Sequence, residues 1–265
     1  MAVLSKLVIE LGLNDSELDS GLKKQTKSME SWAASMKHVG TRLTAGVTAP
    51  IVGGLTLAVN AASNLKEATD AATITYGDSA QEIIRASRGA AMAVGLSQEQ
   101  YLSAATLLGV FGKSAGLAGD DLTAFGKDTI KASSDLASFY NVSQTQAIDA
   151  ITAGIRGEYD SLDQLGIVLN ESAVNQYAWS HGIAASGKEL TEQQKILARQ
   201  GAIMDQYNQG PAKDNFAISD GLAKNMAILK AQMIDVAAGI GTILIPNAIN
   251  LVKHLQRMAT RFQNL

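Results

Sequence analysis

The sequence contains no cysteine, which excludes disulfide bonds, thiolate metal sites and cysteine nucleophiles. Aromatic residues make up only 5% of the 265 residues, and there are three prolines. Alanine, glycine, serine, leucine and glutamine are abundant instead, and this composition favours helices over strands. The content of apolar residues, 46%, is enough to form a sizeable core. We therefore expect a mainly α-helical protein that folds around a buried core.

The chain also lacks a concentration of basic residues. Its formal net charge is −3, and its lysines and arginines are scattered along the sequence. A nucleic-acid-binding surface needs clustered lysine and arginine side chains that displace phosphate counterions. Specific binding to nucleic acid is therefore not expected.

Patterns that would indicate catalysis or metal binding are incomplete. The three histidines, His38, His181 and His254, are far apart in the sequence. Asp120 and Asp121 are adjacent, so on a helix they point about 100° apart, and they suit a helix N-terminus better than a carboxylate pair. The glycines from Gly109 to Gly119 complete no phosphate-binding motif and predict an interhelical turn. No catalytic residue, metal ligand or cofactor is expected, and we predict that the chain is not an enzyme.

The first residues predict one short β-strand. Between residues 3 and 13, apolar side chains alternate, which is typical of a strand with one buried face. A single strand leaves its backbone groups unpaired, and the nearest later candidate, Gly166 to Asn170, is short and distant in sequence. A strand of another chain, such as a second copy, is therefore a candidate partner.

The following residues predict a long helix that begins near Asn14 and continues to about His38. Its apolar residues form a narrow stripe suited to coiled-coil association, although packing onto later helices of the same chain is an equal alternative. The predicted self-association residues of the strand and the helix are Leu7, Ile9, Leu11, Leu13, Leu18, Leu22, Met29 and Trp32.

Two windows are free of charge, Leu43 to Leu65 and Val236 to Val252. Their lengths approach the roughly 20 residues of a membrane span, but glycine and proline are expected to interrupt both. They predict buried or self-associating helices, with conditional insertion into a membrane as the alternative. The residues expected to face a partner or a membrane are Pro50, Ile51, Val52, Ile243, Leu244, Ile245 and Pro246.

Capping signals recur between these windows. Serine or threonine is followed three residues later by glutamate or glutamine at Ser79, Ser97, Ser143 and Thr191, which predicts four helix starts. Glycine-rich breaks, such as Gly154 to Gly157, would let these helices reverse into a bundle. A last long helix is predicted from about Ser219, interrupted by Pro246.

The predicted organisation has four parts. They are a strand at 1–13, a helical region with an uncharged segment at 14–67, a core helical bundle at 68–210, and a long apolar helix at 211–265. The helical pattern continues to Leu265 without a capping glycine, so a longer parent polypeptide is expected. The fold class is thus a helical bundle with long flanking helices and one short strand.

A succession of motifs resembles the core region of TP901-type tail tape measure proteins of long-tailed phages. The motifs are DLASFYNVS at 135–143, AIDAI at 147–151, GIRGEYDSL at 154–162, LGIVLNE at 165–171 and LTEQQKILAR at 190–199. The helix containing Trp32, the TAPIVG sequence at 48–53 and the apolar segment from Gly239 to Val252 also resemble this family. The motif residues expected to be structural are Asp135, Phe139, Gly154, Gly157, Leu165 and Gly166.

The resemblance implies a structural scaffold that lies in the lumen of the tail tube and helps to set tail length. It implies several copies of the chain, assembly in the host cytoplasm, and contacts with tail tube, tail tip or terminator proteins and with a tail assembly chaperone. It also implies departure from the tail with the DNA at ejection and contact with the host envelope. Because glycine turns prevent a constant rise, we expect this segment to anchor or assemble the scaffold. The alternative function is a membrane-active, channel-forming helical protein.

Overall fold

The structure, a computed structural model, describes the backbone of residues 49–263 and the side chains of residues 57–244. Within the described backbone there are helices and no β-strand, which confirms the mainly α-helical prediction. The predicted strand at 3–13 and the self-association residues from Leu7 to Trp32 lie outside the described residues. The unit that contains the bundle extends from Leu57 to Leu265.

The described backbone contains ten α-helices and two short 3₁₀ helices, Gly77–Ser79 and Asp160–Leu165. The α-helices are α1 (Ala49–Tyr76), α2 (Ala80–Ser87), α3 (Ala90–Val94), α4 (Gln98–Ser114), α5 (Gly119–Tyr140), α6 (Gln144–Arg156), α7 (Glu171–Ser180), α8 (Glu192–Gln209), α9 (Asn215–Ile218) and α10 (Leu222–Gln263).

Helix α5 lies at the centre of the bundle, where it contacts α4, α6, α8 and α9. Its core side chains include small hydroxyl residues as well as aliphatic ones. Thr129 donates a hydrogen bond to the carbonyl of Phe125 at 2.6 Å, and Ser133 donates one to the carbonyl of Thr129 at 2.7 Å. Buried hydroxyls cost free energy unless they are paired. These internal bonds explain how a helix with polar residues can be surrounded by others.

Three of the four predicted helix starts have the expected capping boxes. The side chains of Ser97, Ser143 and Thr191 accept the backbone N–H three residues later, and glutamine side chains return a bond to each cap. The capping box predicted at Ser79 is wrong. A 3₁₀ helix precedes α2, so Ser79 has helical dihedral angles and its side chain makes no capping bond. A capping side chain reaches its N–H target from an extended backbone.

The interhelical turn predicted from Gly109 to Gly119 is also wrong over its first half, because α4 continues to Ser114. Gly109 lies against the ring of Tyr76, where a β-carbon would come within 2.9 Å of it. Gly112 lies against Leu122, where a β-carbon would come within 2.6 Å of the leucine side chain. Both glycines allow close packing between helices instead of a reversal of the chain. The reversal itself occupies the residues just before Gly119.

Residues 166–170, the later strand candidate, form an irregular connection and no strand within the described chain. The Gln206 side chain makes the two backbone hydrogen bonds that a neighbouring strand would otherwise make. Its amide oxygen accepts the backbone N–H of Val168 at 3.0 Å, and its amide nitrogen donates to the carbonyl of Val168 at 2.9 Å. One side chain on α8 therefore satisfies both backbone groups of Val168.

Helix α10 is continuous over 42 residues, so the interruption predicted at Pro246 is wrong. A proline removes only one backbone N–H, and the helix continues on both sides of it. Gly239 and Gly241 do not interrupt the helix either. In the first uncharged window, α1 begins at Ala49 and places Pro50 in its first turn, where the N–H has no partner within the helix in any case.

Candidate functional site

The motif residue Asp135 is buried at the centre of the bundle, with 2% of its surface exposed. Its Oδ1 atom accepts the backbone N–H of Phe216 at 2.8 Å, and its Oδ2 atom accepts the hydroxyl of Tyr207 at 2.6 Å and the ammonium of Lys131 at 3.0 Å. This carboxylate therefore joins α5, the end of α8 and α9. We call Asp135, Lys131, Tyr207 and Phe216 the Asp135 cluster.

The charges of the Asp135 cluster are balanced. Burial lowers the pKa of Lys131, but hydrogen bonds to Asp214, Asp135 and Tyr207 outweigh it and raise this pKa above its ordinary value. Burial and the hydrogen bond to Asp135 raise the pKa of Tyr207, so its hydroxyl stays protonated and donates. A carboxylate with three donors and no open approach is suited to holding helices together, and it is poorly placed to act as a base.

A second cluster forms around Arg199 of α8, whose side chain is almost fully buried. Its Nε atom donates to the Tyr159 hydroxyl at 3.0 Å, one terminal nitrogen donates to the Arg156 carbonyl at 3.2 Å, and the other donates to Glu171 at 3.1 Å. Tyr159 in turn donates to Glu171 at 2.7 Å. The hydrogen bonds from Tyr159 and then Arg199 hold the pKa of Glu171 below its ordinary value. We call these residues the Arg199 cluster.

Two motif glycines make room for these contacts. Gly157 ends α6 with φ +109°, and a β-carbon there would lie 2.9 Å from a terminal nitrogen of Arg199. Gly154, one turn earlier, packs against Leu162, where a β-carbon would come within 2.6 Å. The GIRGEY motif therefore wraps around an arginine that lies more than forty residues later in the sequence.

The remaining motif residues serve packing and chain reversal. Leu165 is fully buried, and Gly166 ends its 3₁₀ helix in the left-handed region, directly against the hydroxyl of Tyr140. Phe139 is 42% exposed and meets the Tyr140 ring edge-on at 5.0 Å. All six motif residues thus lie within the bundle or at its surface, and the structure does not bring them into a single pocket.

The main exposed feature is the outward face of α10. Seven large apolar side chains on this helix are between 48% and 79% exposed. On the opposite face the fully buried positions are small residues, Ala231, Ala238 and Gly241, with Ile228 and Ile234 half-buried beside them. A surface helix usually buries most of its large apolar side chains, whereas seven of them on α10 face outward. The seven exposed residues, which we call the α10 seam, are Leu222, Met226, Leu229, Met233, Val236, Ile240 and Ile243.

Among the predicted partner-facing residues, the structure describes the side chains of Ile243 and Leu244 and only the backbone of the others. Ile243 is 74% exposed and belongs to the α10 seam, and Leu244 is half-buried next to it. Ile245 and Pro246 lie on the backbone of α10, and Pro50, Ile51 and Val52 lie on the backbone of α1. Sequence reasoning identified Met226, Leu229 and Met233 as parts of a helix but not as a surface. Their spacing of three and four residues was the available signal.

Other surface features of the described chain are less developed. A groove of about 280 Å³ lies between α4 and α6, and its lining includes Leu96, Leu107 and Ile148 together with Glu99 and Asp149. Within residues that the structure describes, no three histidine, aspartate or glutamate side chains are grouped as a metal site. One described segment, Leu222–Leu244, is long and apolar enough to cross a membrane, although length and composition alone give weak support for a span.

Comparisons with known proteins give no relative: no protein-family model matches the sequence, and no curated protein or solved structure is significantly similar to it.

Proposed function

We propose that this chain is a structural tail-assembly protein of a long-tailed phage, part of the tape measure scaffold that helps to set tail length. In this proposal it lies in the tail tube lumen in several copies and contacts tail tube, tail tip or terminator proteins and an assembly chaperone. It leaves the tail with the DNA at ejection. The proposal rests on the motif resemblance together with one structural observation, the exposed α10 seam.

The α10 seam supports an assembly function because exposed apolar surface of this extent is characteristic of a contact site. A monomeric protein gains stability by turning such side chains inward, yet the fully buried positions of α10 are Ala231, Ala238 and Gly241. The seam therefore has the character of a surface that another helix or protein covers. That is expected of a scaffold segment and gives no advantage to an enzyme.

The motif clusters support the same proposal from inside the bundle. The Asp135 and Arg199 clusters use their charged groups to connect helices, and their donors and acceptors are paired with one another. Charged residues that are paired in this way hold the helices in a fixed arrangement. The motifs thereby stabilise the bundle against which α10 packs. Near the start of α10, Lys224 donates a hydrogen bond to the Ser219 carbonyl at 2.8 Å.

Disruption of the gene in the phage that encodes this chain tests the proposal. We expect capsids without tails, or tails of irregular length in electron micrographs, and recovery of uniform tails when the wild-type gene is supplied in trans. The chain should be detected by mass spectrometry in purified tails. Virions with normal tails that lack the polypeptide would overturn the proposal.

A membrane-active, channel-forming protein is the second candidate, and the length and apolarity of Leu222–Leu244 favour it. The two candidates differ in what the folded chain does with a bilayer. Release of a dye from phosphatidylcholine vesicles by the folded chain, with normal tails after disruption of the gene, would support the channel. Irregular tails without dye release would support the scaffold.

A further inference from the structure

The α10 seam follows a strict spacing. Its members are separated by four and three residues in alternation, from Leu222 to Ile243, through three heptads. An α-helix has 3.6 residues per turn, so a stripe with a period of 3.5 drifts slowly around the helix and matches a partner helix that supercoils with it. Two apolar positions in every seven make a narrow stripe, which is the pattern of a coiled-coil seam.

The residues that flank the seam are small or polar. Asn225, Gln232 and Gly239 lie on one side, and Ala223, Lys230 and Ala237 lie on the other. In coiled coils these flanking positions carry the charges that select a partner. Lys230 is the only charge among the six, so two copies of α10 can approach without a row of like charges. The seam is thus compatible with itself.

Over the described residues, the side of α10 opposite the seam packs on the bundle. Ala231, Ala238 and Gly241 face the bundle, and a β-carbon on Gly241 would overlap the carbonyl of Ala58. Asp235 accepts the backbone N–H of Gln98 at 2.8 Å. The seam lies on the opposite side of the helix. Whatever covers it must therefore come from outside the described part of the chain.

We propose that the α10 seam packs against the same seam of a second copy of this chain and forms a parallel or antiparallel coiled coil. Each of the seven side chains offers on the order of 100 Å² of apolar surface, so a paired seam buries on the order of 1,000 Å², which a specific interface requires. This inference deepens the proposed function, on which it rests for its biological setting, because it names the partner of the exposed surface.

A bilayer fits the seam less well than a second copy. A membrane-spanning helix is apolar around its whole circumference, whereas α10 carries Asn225, Lys230 and Gln232 beside the seam. Lys224 and Asp235 are engaged with the bundle through hydrogen bonds, and insertion would break both. A helix partner needs only the narrow stripe, and it leaves these polar groups in place.

The mass of the purified full chain in solution tests the proposal, by sedimentation over a range of concentrations. We expect an oligomer for the wild type and a monomer for the double variant Leu229→Asp/Met233→Asp. The dissociation constant of the oligomer should rise at least about 100-fold, because each copy would bury two charges in the seam. Circular dichroism should show unchanged helix content. The matched control is Ile74→Asp/Val110→Asp, which adds the same charges at exposed apolar positions on α1 and α4 and should stay oligomeric.

Disulfide cross-linking locates the contact, since the natural chain has no cysteine. Met233 lies near the middle of the seam, so a Met233→Cys chain should bring its thiol close to that of the second copy and cross-link under mild oxidation. Ile74→Cys, at an exposed position away from the seam, should not. A monomeric wild type, with or without binding to phosphatidylcholine vesicles, would overturn the proposal, and so would an oligomer that persists in Leu229→Asp/Met233→Asp without cross-linking through Met233→Cys.

These results are separate from those of the gene disruption. A monomeric chain that is nevertheless required for uniform tails would remove the self-association and leave the scaffold function. An oligomer cross-linked through position 233, in a phage whose tails form normally without the chain, would remove the scaffold function and leave the self-association.

Discussion

The carboxylate of Asp235 accepts the backbone N–H of Gln98 at 2.8 Å, across 137 positions of sequence. Gln98 is the first residue of α4, whose opening N–H groups have no partner within the helix. A side chain from α10 therefore completes a cap that Ser97 provides only in part. With the small residues around it, this bond attaches α10 to the bundle.

This contact predicts a pH dependence. Burial raises the pKa of the Asp235 carboxyl above its ordinary value of 3.8, while the bond from Gln98 opposes the change. The folded chain thus holds this proton more tightly than the unfolded chain, and the associated stability is present at low pH and lost as pH rises through the raised pKa.

The Asp235→Asn variant isolates this effect because asparagine keeps an acceptor oxygen but does not titrate. The free energy of unfolding of the wild type, measured relative to that of Asp235→Asn by urea denaturation, should increase as the pH is lowered from neutral and level off below 3.8. A difference that is constant with pH would show that the charge of Asp235 carries no cost in the fold.

Removal of the central carboxylate should be strongly destabilising. In Asp135→Ala, the N–H of Phe216 and the hydroxyl of Tyr207 lose their acceptor in the core, and we expect a loss of about 3 kcal/mol in the free energy of unfolding. Chemical denaturation measures it. Asp128→Ala, at an exposed position on the same helix, is the control and should leave the unfolding midpoint almost unchanged. Equal effects of the two substitutions would contradict the structural role of Asp135.

The Gly157→Ala substitution should combine two penalties. Alanine is strained at φ +109°, and its β-carbon would press against the guanidinium of Arg199. We expect a loss of about 2 to 3 kcal/mol in the free energy of unfolding. Gly187→Ala separates the two penalties, because that residue has φ +76° and open space around it, and it should cost about 1 kcal/mol. Thermal denaturation that gives the same loss for both would mean that Arg199 moves aside freely.

The helix caps allow a comparison within one sequence pattern. Ser143→Ala removes a side chain that accepts the N–H of Gln146 at 3.2 Å and should cost about 1 kcal/mol in the free energy of unfolding. Ser79→Ala, in the same pattern without a capping bond, should cost much less. Urea denaturation of the two variants measures both values. A larger loss at Ser79 would show that its hydroxyl has a role that the structure does not reveal.

Local signals in the sequence were enough to predict the helical class and three of the capping boxes. Each capping box depends on residues within one helical turn, so it can be recognised from the local sequence alone. Ser79 was the exception because the preceding residues form a 3₁₀ helix that removes the extended cap. The glycines at 109 and 112 predict a turn from the local sequence, because the tyrosine and leucine that pack against them come from other helices.

The candidate site depended more on distant contacts. Asp135 was identified within a motif, but Tyr207 and Phe216 lie 72 and 81 positions away, and no local pattern connects them to it. The apolar residues of α10 had a visible spacing. What could not be predicted was their direction, because a large apolar stripe normally faces the core. Only the packing of Ala231 and Ala238 on the bundle decides it.

Contact at the level of the backbone sets the distance between α10 and the bundle, since Gly241 meets Ala58 with no side chain between them. The two faces of this helix should therefore tolerate engineering very differently. Its outer positions can be replaced by charged residues to obtain a more soluble protein, whereas any side chain at Gly241, or one larger than alanine at Ala231 or Ala238, would displace the helix from the bundle.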